Sequence, residues 1–167
     1  WQTETLHTAL WNSLVVGVAT ALLSTLLGAF AARASARFRF PGKTGIVGLI
    51  MLPLVLPEII IAVALLVMLN QLGMPLSLWT VVGGHVLICT PFAIAILSSA
   101  FRGLDRELEE ASFDLGESRW GTFRRVTLPL VLPGVISSLL ITFTISLDEF
   151  IIAFFLTGTD VTLPVYI

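Results

Sequence analysis

Apolar residues run almost unbroken from Ala9 to Ala32, and this stretch carries no charge. Three further runs share the pattern: Gly45 to Leu69 holds one charged residue, Glu58, while Leu72 to Phe101 and Val126 to Leu147 hold none. Each exceeds the roughly 18 to 20 residues that a helix needs to cross a bilayer. Four spans are predicted, near 9–32, 46–70, 79–101 and 128–149. Pro53, Pro57 and Pro91 fall inside or beside these spans, where they kink or interrupt helices. That favours a cavity-forming or moving bundle over a plain anchor.

Between the third and fourth runs the period changes. Leu104, Leu108, Ala111 and Leu115 recur at helical spacing, which predicts an amphipathic helix with one apolar and one charged face. Gly116 is placed to end it. Ser118 is placed to cap a second short helix carrying Trp120, Phe123 and Val126, and Pro129 to close the segment. Residues 102–128 therefore read as a helix–turn–helix outside the membrane. Trp120 and Phe123 are bulky anchors of the kind that fill pockets on partners. On composition alone a solvated, charge-balancing loop also fits.

Composition removes the soluble classes. Hydrophobic residues make up 56% of the chain and charged ones 12%, with a mean hydropathy of +0.99, against about 25% charged in average globular proteins. All the basic residues fall in two clusters: Arg33, Arg37, Arg39 and Lys43, then Arg102, Arg106, Arg119, Arg124 and Arg125. Two spans fit between the clusters as a hairpin, so both clusters lie on one face, and the positive-inside rule makes it cytoplasmic. The N-terminus, the 71–78 turn and the C-terminal end then face outward, with Trp11 and Trp79 as interfacial anchors. The first span is too long for a signal peptide, and its basic residues follow rather than precede it. Gly17, Ala21, Ser24, Gly28 and Ala31 give that span a small-residue stripe for close helix packing.

Candidate chemistry is sparse. "GKT" at 42–44 looks like the end of a phosphate-binding loop, but Arg37 stands where that motif needs a glycine. Lys43 is read as a positive-inside residue. His85 and Cys89 stand one helical turn apart with no orienting acid evident. They are read as an interhelical hydrogen-bonding residue and a packing residue, which leaves an intramembrane enzyme as a weak alternative. A carboxylate at a helix centre costs roughly 2.5 to 3.5 kcal/mol to insert, so it faces a cavity or a partner. Glu58, counted along a straight helix from Gly45, falls toward the outer half of the membrane, and Asp148 and Glu149 fall near the outer mouth. With no Lys or Arg within the spans, these acids favour a cationic solute. Structural roles stand beside this: Asp148 and Glu149 capping a helix end or meeting a companion subunit, Glu58 satisfying backbone groups freed by Pro57 or pairing with a partner.

Glu110-Ala111-Ser112, three residues, Gly116, nine residues and Val126-Thr127-Leu128-Pro129 together resemble the EAA signature of ABC importer permeases. Ser112 and Val126 depart from the family's alanine and isoleucine. "LPLVLPEIIIAVALL" (52–66), "SLDEFIIAFFLTG" (146–158) and "TLPVYI" (162–167) resemble the polyamine permeases in particular. The resemblance covers essentially the whole chain. It implies an all-α transmembrane domain over 1–167, of the type I importer kind, lacking the family's first and last helices. It implies that Glu110, Ala111, Ser112, Gly116, Trp120, Leu128 and Pro129 form a coupling segment that docks on a cytoplasmic ATPase. The expected function is ATP-driven import of spermidine or putrescine by alternating access, with ferric iron, an anion or another organic amine as the alternative cargo. A passive channel leaves the signature unexplained. The implied partners are an ATPase dimer, which carries ATP and Mg, a second permease (identical or related), an extracytoplasmic substrate-binding protein and the lipid of a bacterial inner membrane. No nucleic acid, metal or cofactor is implied for this chain.

Overall fold

A computed structural model describes residues 2–38 and 41–167, so Arg39 of the first basic cluster lies outside the described residues. Every regular element among them is helical. The long helices are α1 (Gln2–Arg37), α4 (Leu78–Arg102) and α7 (Leu128–Asp148), which pack on one another as a three-helix core. Between them run α2 (Lys43–Met51) and α3 (Glu58–Gln71), then α5 (Arg106–Asp114) and α6 (Arg119–Thr122). Two short helices, α8 (Ile151–Leu156) and α9 (Leu163–Tyr166), close the chain.

The apolar core has two parts. Val16, Ile61, Val81, Ile88, Ile152 and Leu156 are buried together in one. Ala32, Leu97, Phe101, Leu104 and Val131 form the other, at the end of the bundle where α5 begins. Hydroxyls cross between helices inside this core: Thr25 Oγ1 and Ser138 Oγ are 3.0 Å apart, and His85 Nδ1 and Ser146 Oγ 2.8 Å. His85 thus has the interhelical role its sequence position suggested. In a bilayer such pairs replace the water that polar groups otherwise find.

Small residues let α1 and α4 touch. A Cβ added at Gly28 falls 2.6 Å from the Cβ of Ala93 and 3.0 Å from its carbonyl carbon, and backbone cannot yield as a flexible side chain can. Gly28→Ala is expected to cost about 1–3 kcal/mol through overpacking, seen as a lower melting temperature of the detergent-purified full-length permease. Gly83→Ala, where an added Cβ meets nothing within 4 Å, is the control. Equal melting of the two variants would refute the close-approach reading.

The predicted second span departs from expectation. Residues 46–70 do not form one helix: Lys43–Leu54 and Glu58–Gln71 are bent by 102° at the break. Leu52–Leu54 tightens into a 3₁₀ turn, and Pro57 takes an extended ψ of 131° ahead of α3. Proline has no N–H for the helical ladder and disfavours helical geometry in the residue before it, so Pro53 and Pro57 turn a kink into a break. Glu58 is therefore the first residue of a helix rather than a residue at mid-helix, where the helix dipole favours a negative charge.

The other three predicted spans correspond to helices. Among the described residues Glu4–Arg37, Leu78–Arg102 and Arg119–Asp148 are long and apolar enough to cross a membrane. The two basic clusters meet at one end of the bundle, where Arg106 Nη2 donates to the carbonyl of Ala36 at 3.2 Å. At the opposite end, Asn12 Nδ2 donates to the carbonyl of Val161 at 2.9 Å, and the amide of Leu163 donates to Ser13 Oγ at 2.7 Å. Trp11 and Trp79 are exposed there, as anchors at a bilayer interface are.

Candidate coupling segment and acid-lined cavity

The segment after α4 folds from its own local signals. Asp105 caps α5 by accepting the amide of Glu107 at 3.0 Å. Gly116, at φ +86°, ends the helix in the left-handed region, and the amide of Glu117 turns back to the carbonyl of Ser112 at 3.1 Å. Glycine takes that conformation without the strain of a Cβ. Ser118 caps α6, accepting from the amide of Gly121 at 3.1 Å. The predicted turn and cap therefore form as the sequence indicated.

Two details differ. The second helix is not closed by Pro129. It runs on through a π-helical turn, Phe123–Thr127, into α7, and the amide of Leu128 bonds the carbonyl of Phe123. Pro129 lacks the N–H that would bond four residues back, and widening the turn just before it keeps the helix continuous. Moreover, the apolar face predicted for α5 does not pack inward as a unit. Leu104 is buried, but Leu108, Ala111 and Leu115 are exposed. Leu115 and Trp120 are 87% and 70% exposed, so the segment carries an uncovered apolar ridge. Trp120 stacks on Phe123 with ring centroids 5.5 Å apart, which stiffens that side of it.

What faces inward is polar. Ser112 Oγ and Thr122 Oγ1 are 2.9 Å apart and buried, joining α5 to α6. This contact accounts for the departure from alanine in the signature, since alanine has no hydroxyl to offer Thr122. Glu109 ties three elements together: its Oε2 lies 3.1 Å from Arg37 Nη2 of α1, and its Oε1 accepts from Thr127 Oγ1 at 2.7 Å. Arg33 stands 4.8 Å from the Phe123 ring centroid, a cation–π contact between the same elements. Glu117 pairs with Arg125 across the turn. Glu110 is exposed and braces nothing inside the chain. Leu128 and Pro129 lie exposed at the head of α7.

The structure brings the three candidate acids together. Glu58, Asp148 and Glu149 line one cavity of about 430 Å³ with Thr144, Ile145 and Phe150. They differ in freedom. Glu149 is buried and its Oε1 accepts the amide of Ile152 at 2.9 Å, so it caps the start of α8. Glu58 and Asp148 are exposed. The capping role weighed for Asp148 and Glu149 thus falls to Glu149. His85 and Cys89 build no catalytic pair: His85 bonds Ser146, and Cys89 Sγ lies 3.8 Å from the carbonyl of Thr142.

Comparison with known proteins places this architecture. Residues 24–166 match the family described as binding-protein-dependent transport system inner membrane component. The chain belongs to that family. Its all-α architecture is accordingly the type I ABC permease fold, and the family is one of transport components rather than enzymes. The chain is similar to the spermidine/putrescine transport system permease protein of Escherichia coli K12, 34% identical over 155 residues, covering 93% of this chain and 59% of that one. It is also similar to the putrescine transport system permease protein of the same strain, 36% identical over 169 residues, covering 95% and 59%. A Haloferax volcanii protein named as a probable molybdenum ABC transporter permease is 37% identical over 172 residues, covering 98% and 64%. The chain thus spans about three-fifths of the length of the curated relatives it matches.

Proposed function

We propose that this chain forms the membrane-spanning core of a permease subunit in an ATP-driven importer of polyamines. The observation that carries the reading is a single bundle with different chemistry at its two ends. The basic end presents an apolar ridge on a helix–turn–helix bearing the EAA signature, and α7, which leaves that segment, ends at an acid-lined cavity. Leu128 to Asp148 spans about 30 Å at 1.5 Å per residue, enough to cross the hydrocarbon core. Movement of the coupling segment is carried into α7 through the continuous π-helical turn and into α1 through Glu109 and Arg37. ATP and Mg reside on the partner ATPase dimer. A second permease and an extracytoplasmic binding protein complete the assembly in the inner membrane, and binding of ATP drives a rigid-body switch between inward and outward states.

The cavity favours a cation because Glu58 and Asp148 are open to it, with no basic residue among the residues that line it. At an effective dielectric of about 20, a 4 Å ion pair is worth about 4 kcal/mol, and about 1 in water, so a few carboxylates guide an amine without trapping it. The names of the two Escherichia coli relatives support the same class. A second reading, an importer of a different solute, is favoured by the comparable identity of the relative named for molybdenum.

Uptake of labelled spermidine by the full assembled transporter in proteoliposomes tests the reading, with unlabelled putrescine, molybdate, sulfate and ferric iron as competitors. Glu58→Gln and Asp148→Asn are each expected to raise KM about five-fold, the effect of losing one partly solvated charge. Inhibition by putrescine alone supports a polyamine cargo. Inhibition by molybdate, or variants with unchanged KM, would replace the cargo or remove the acids from its path.

A further inference from the structure

The "GKT" stretch, set aside as a nucleotide loop, lines a different site. Lys43 and Thr44 open a cavity of about 500 Å³ bounded by α1, α2 and α4 at the cytoplasmic end of the bundle. We propose that this cavity binds the phosphate of an anionic phospholipid, with Lys43 and Arg102 as its cationic ligands.

Three observations support it. First, two cations from different helices converge on one space. Lys43 donates to the carbonyl of Ser35, and Arg102 Nε donates to the carbonyl of Ser98 at 3.1 Å, so both stems are held by backbone. Neither has a carboxylate partner among the described residues, whereas Arg37 and Arg125 each have one. Second, the lining is graded by depth. On α2 the order inward from the cytoplasm is Lys43, Val47, Met51, and on the oppositely running α4 it is Arg102, Ser98, Ile94. Both series cover eight residues, about 12 Å at 1.5 Å per residue. The two walls therefore pass together from cationic to apolar, matching a phospholipid with its headgroup at the interface and an acyl chain beside Val47 and Met51. A free phosphate has no use for the lower half. Third, the cytoplasmic leaflet is the anionic one, and basic pockets between membrane helices on that side suit acidic headgroups. The volume is also of ligand-pocket size. The proposal uses the chain's orientation and family and does not depend on the identity of the cargo.

The test uses the assembled transporter carrying the full-length permease, freed of lipid in mild detergent and titrated with phosphatidylglycerol or phosphatidylcholine by native mass spectrometry. Phosphatidylglycerol is expected to bind more tightly than phosphatidylcholine. Lys43→Gln and Arg102→Gln should each weaken it about five-fold, and together about thirty-fold. The paired exchange Lys43→Arg with Arg102→Lys keeps both charges and should retain binding. Arg124→Gln, an exposed basic residue outside the cavity, should leave it unchanged. An equal loss in Arg124→Gln would assign the binding to general surface charge and overturn the proposal. Displacement of the lipid by millimolar inorganic phosphate would make free phosphate the ligand, and absence of lipid binding to the unaltered assembly would mean that protein fills the cavity. Should the glutamine variants fail to assemble, a photoreactive phosphatidylglycerol on the unaltered transporter decides. Labelling within 43–51 and 94–102 supports the site, and labelling confined elsewhere overturns it.

Discussion

Glu109→Ala is expected to lower the melting temperature of the full-length permease and to reduce uptake at least ten-fold. Glu110→Ala should leave the melting temperature unchanged. Arg37 and Glu109 side chains are 13% and 16% exposed. Truncating Glu109 leaves the Arg37 guanidinium largely buried without a counter-charge, and breaking such a pair costs about 3 kcal/mol or more. It also removes the acceptor for Thr127 Oγ1, 2.7 Å away, at the π-helical turn that carries α6 into α7. The loss therefore falls on the joint between the coupling segment, α1 and α7, where movement must pass. A double variant, Arg37→Met with Glu109→Met, replaces the pair by apolar side chains and should recover part of the lost stability. If it melts normally yet still fails to transport while ATP is hydrolysed, the pair serves coupling as well as stability. Indistinguishable melting of Glu109→Ala and Glu110→Ala would show that the carboxylate between Arg37 and Thr127 does no bracing.

This result separates what the sequence could carry from what it could not. The signature spacing points to Glu110, but the neighbouring Glu109 makes the contacts inside the chain. A linear pattern says which residues share a helix face, and it does not say which face meets α1. Arg37 and Glu109 lie far apart along the chain, and only the packing of α1 against the turn brings them together. Local signals were legible for the opposite reason. The left-handed glycine at 116, the Ser118 cap and the charge-free runs each act through bonds within a few residues or through the bilayer, so neighbours in sequence suffice to specify them. The break at Leu52–Pro57 was half legible. Two prolines announce an interruption, but its angle of 102° depends on what α2 and α3 pack against. The same holds for the acids. Their scarcity marked Glu58, Asp148 and Glu149 as candidates, whereas their convergence on one cavity, and the capping bond that occupies Glu149, are tertiary facts.

Leu115→Asp and Trp120→Ala are expected to weaken association with the partner ATPase by about thirty-fold each, corresponding to about 2 kcal/mol for a hot-spot side chain. The permease's own melting temperature should not move. Both side chains are among the most exposed apolar groups in the chain, at 87% and 70%, so neither contributes packing whose loss could unfold it. A membrane helix exposes leucine to lipid without consequence, but this segment lies at the basic, cytoplasmic end, where water is the alternative solvent. Leaving those surfaces wet costs roughly 25 cal/mol per Å² of apolar area, a cost that a partner's groove removes. The Asp variant also places a charge in that groove, so its effect should match or exceed that of Trp120→Ala. Titration of purified ATPase against the detergent-solubilised permease measures both, with melting curves recorded in parallel. Unchanged affinity in both variants would mean that the ridge is not the docking surface. Lowered affinity accompanied by lowered melting would instead place Leu115 or Trp120 in packing within the permease. Loss of affinity with intact melting would confine the effect to the interface and make the exposed ridge of α5 and α6 the surface through which ATP-driven closure is felt.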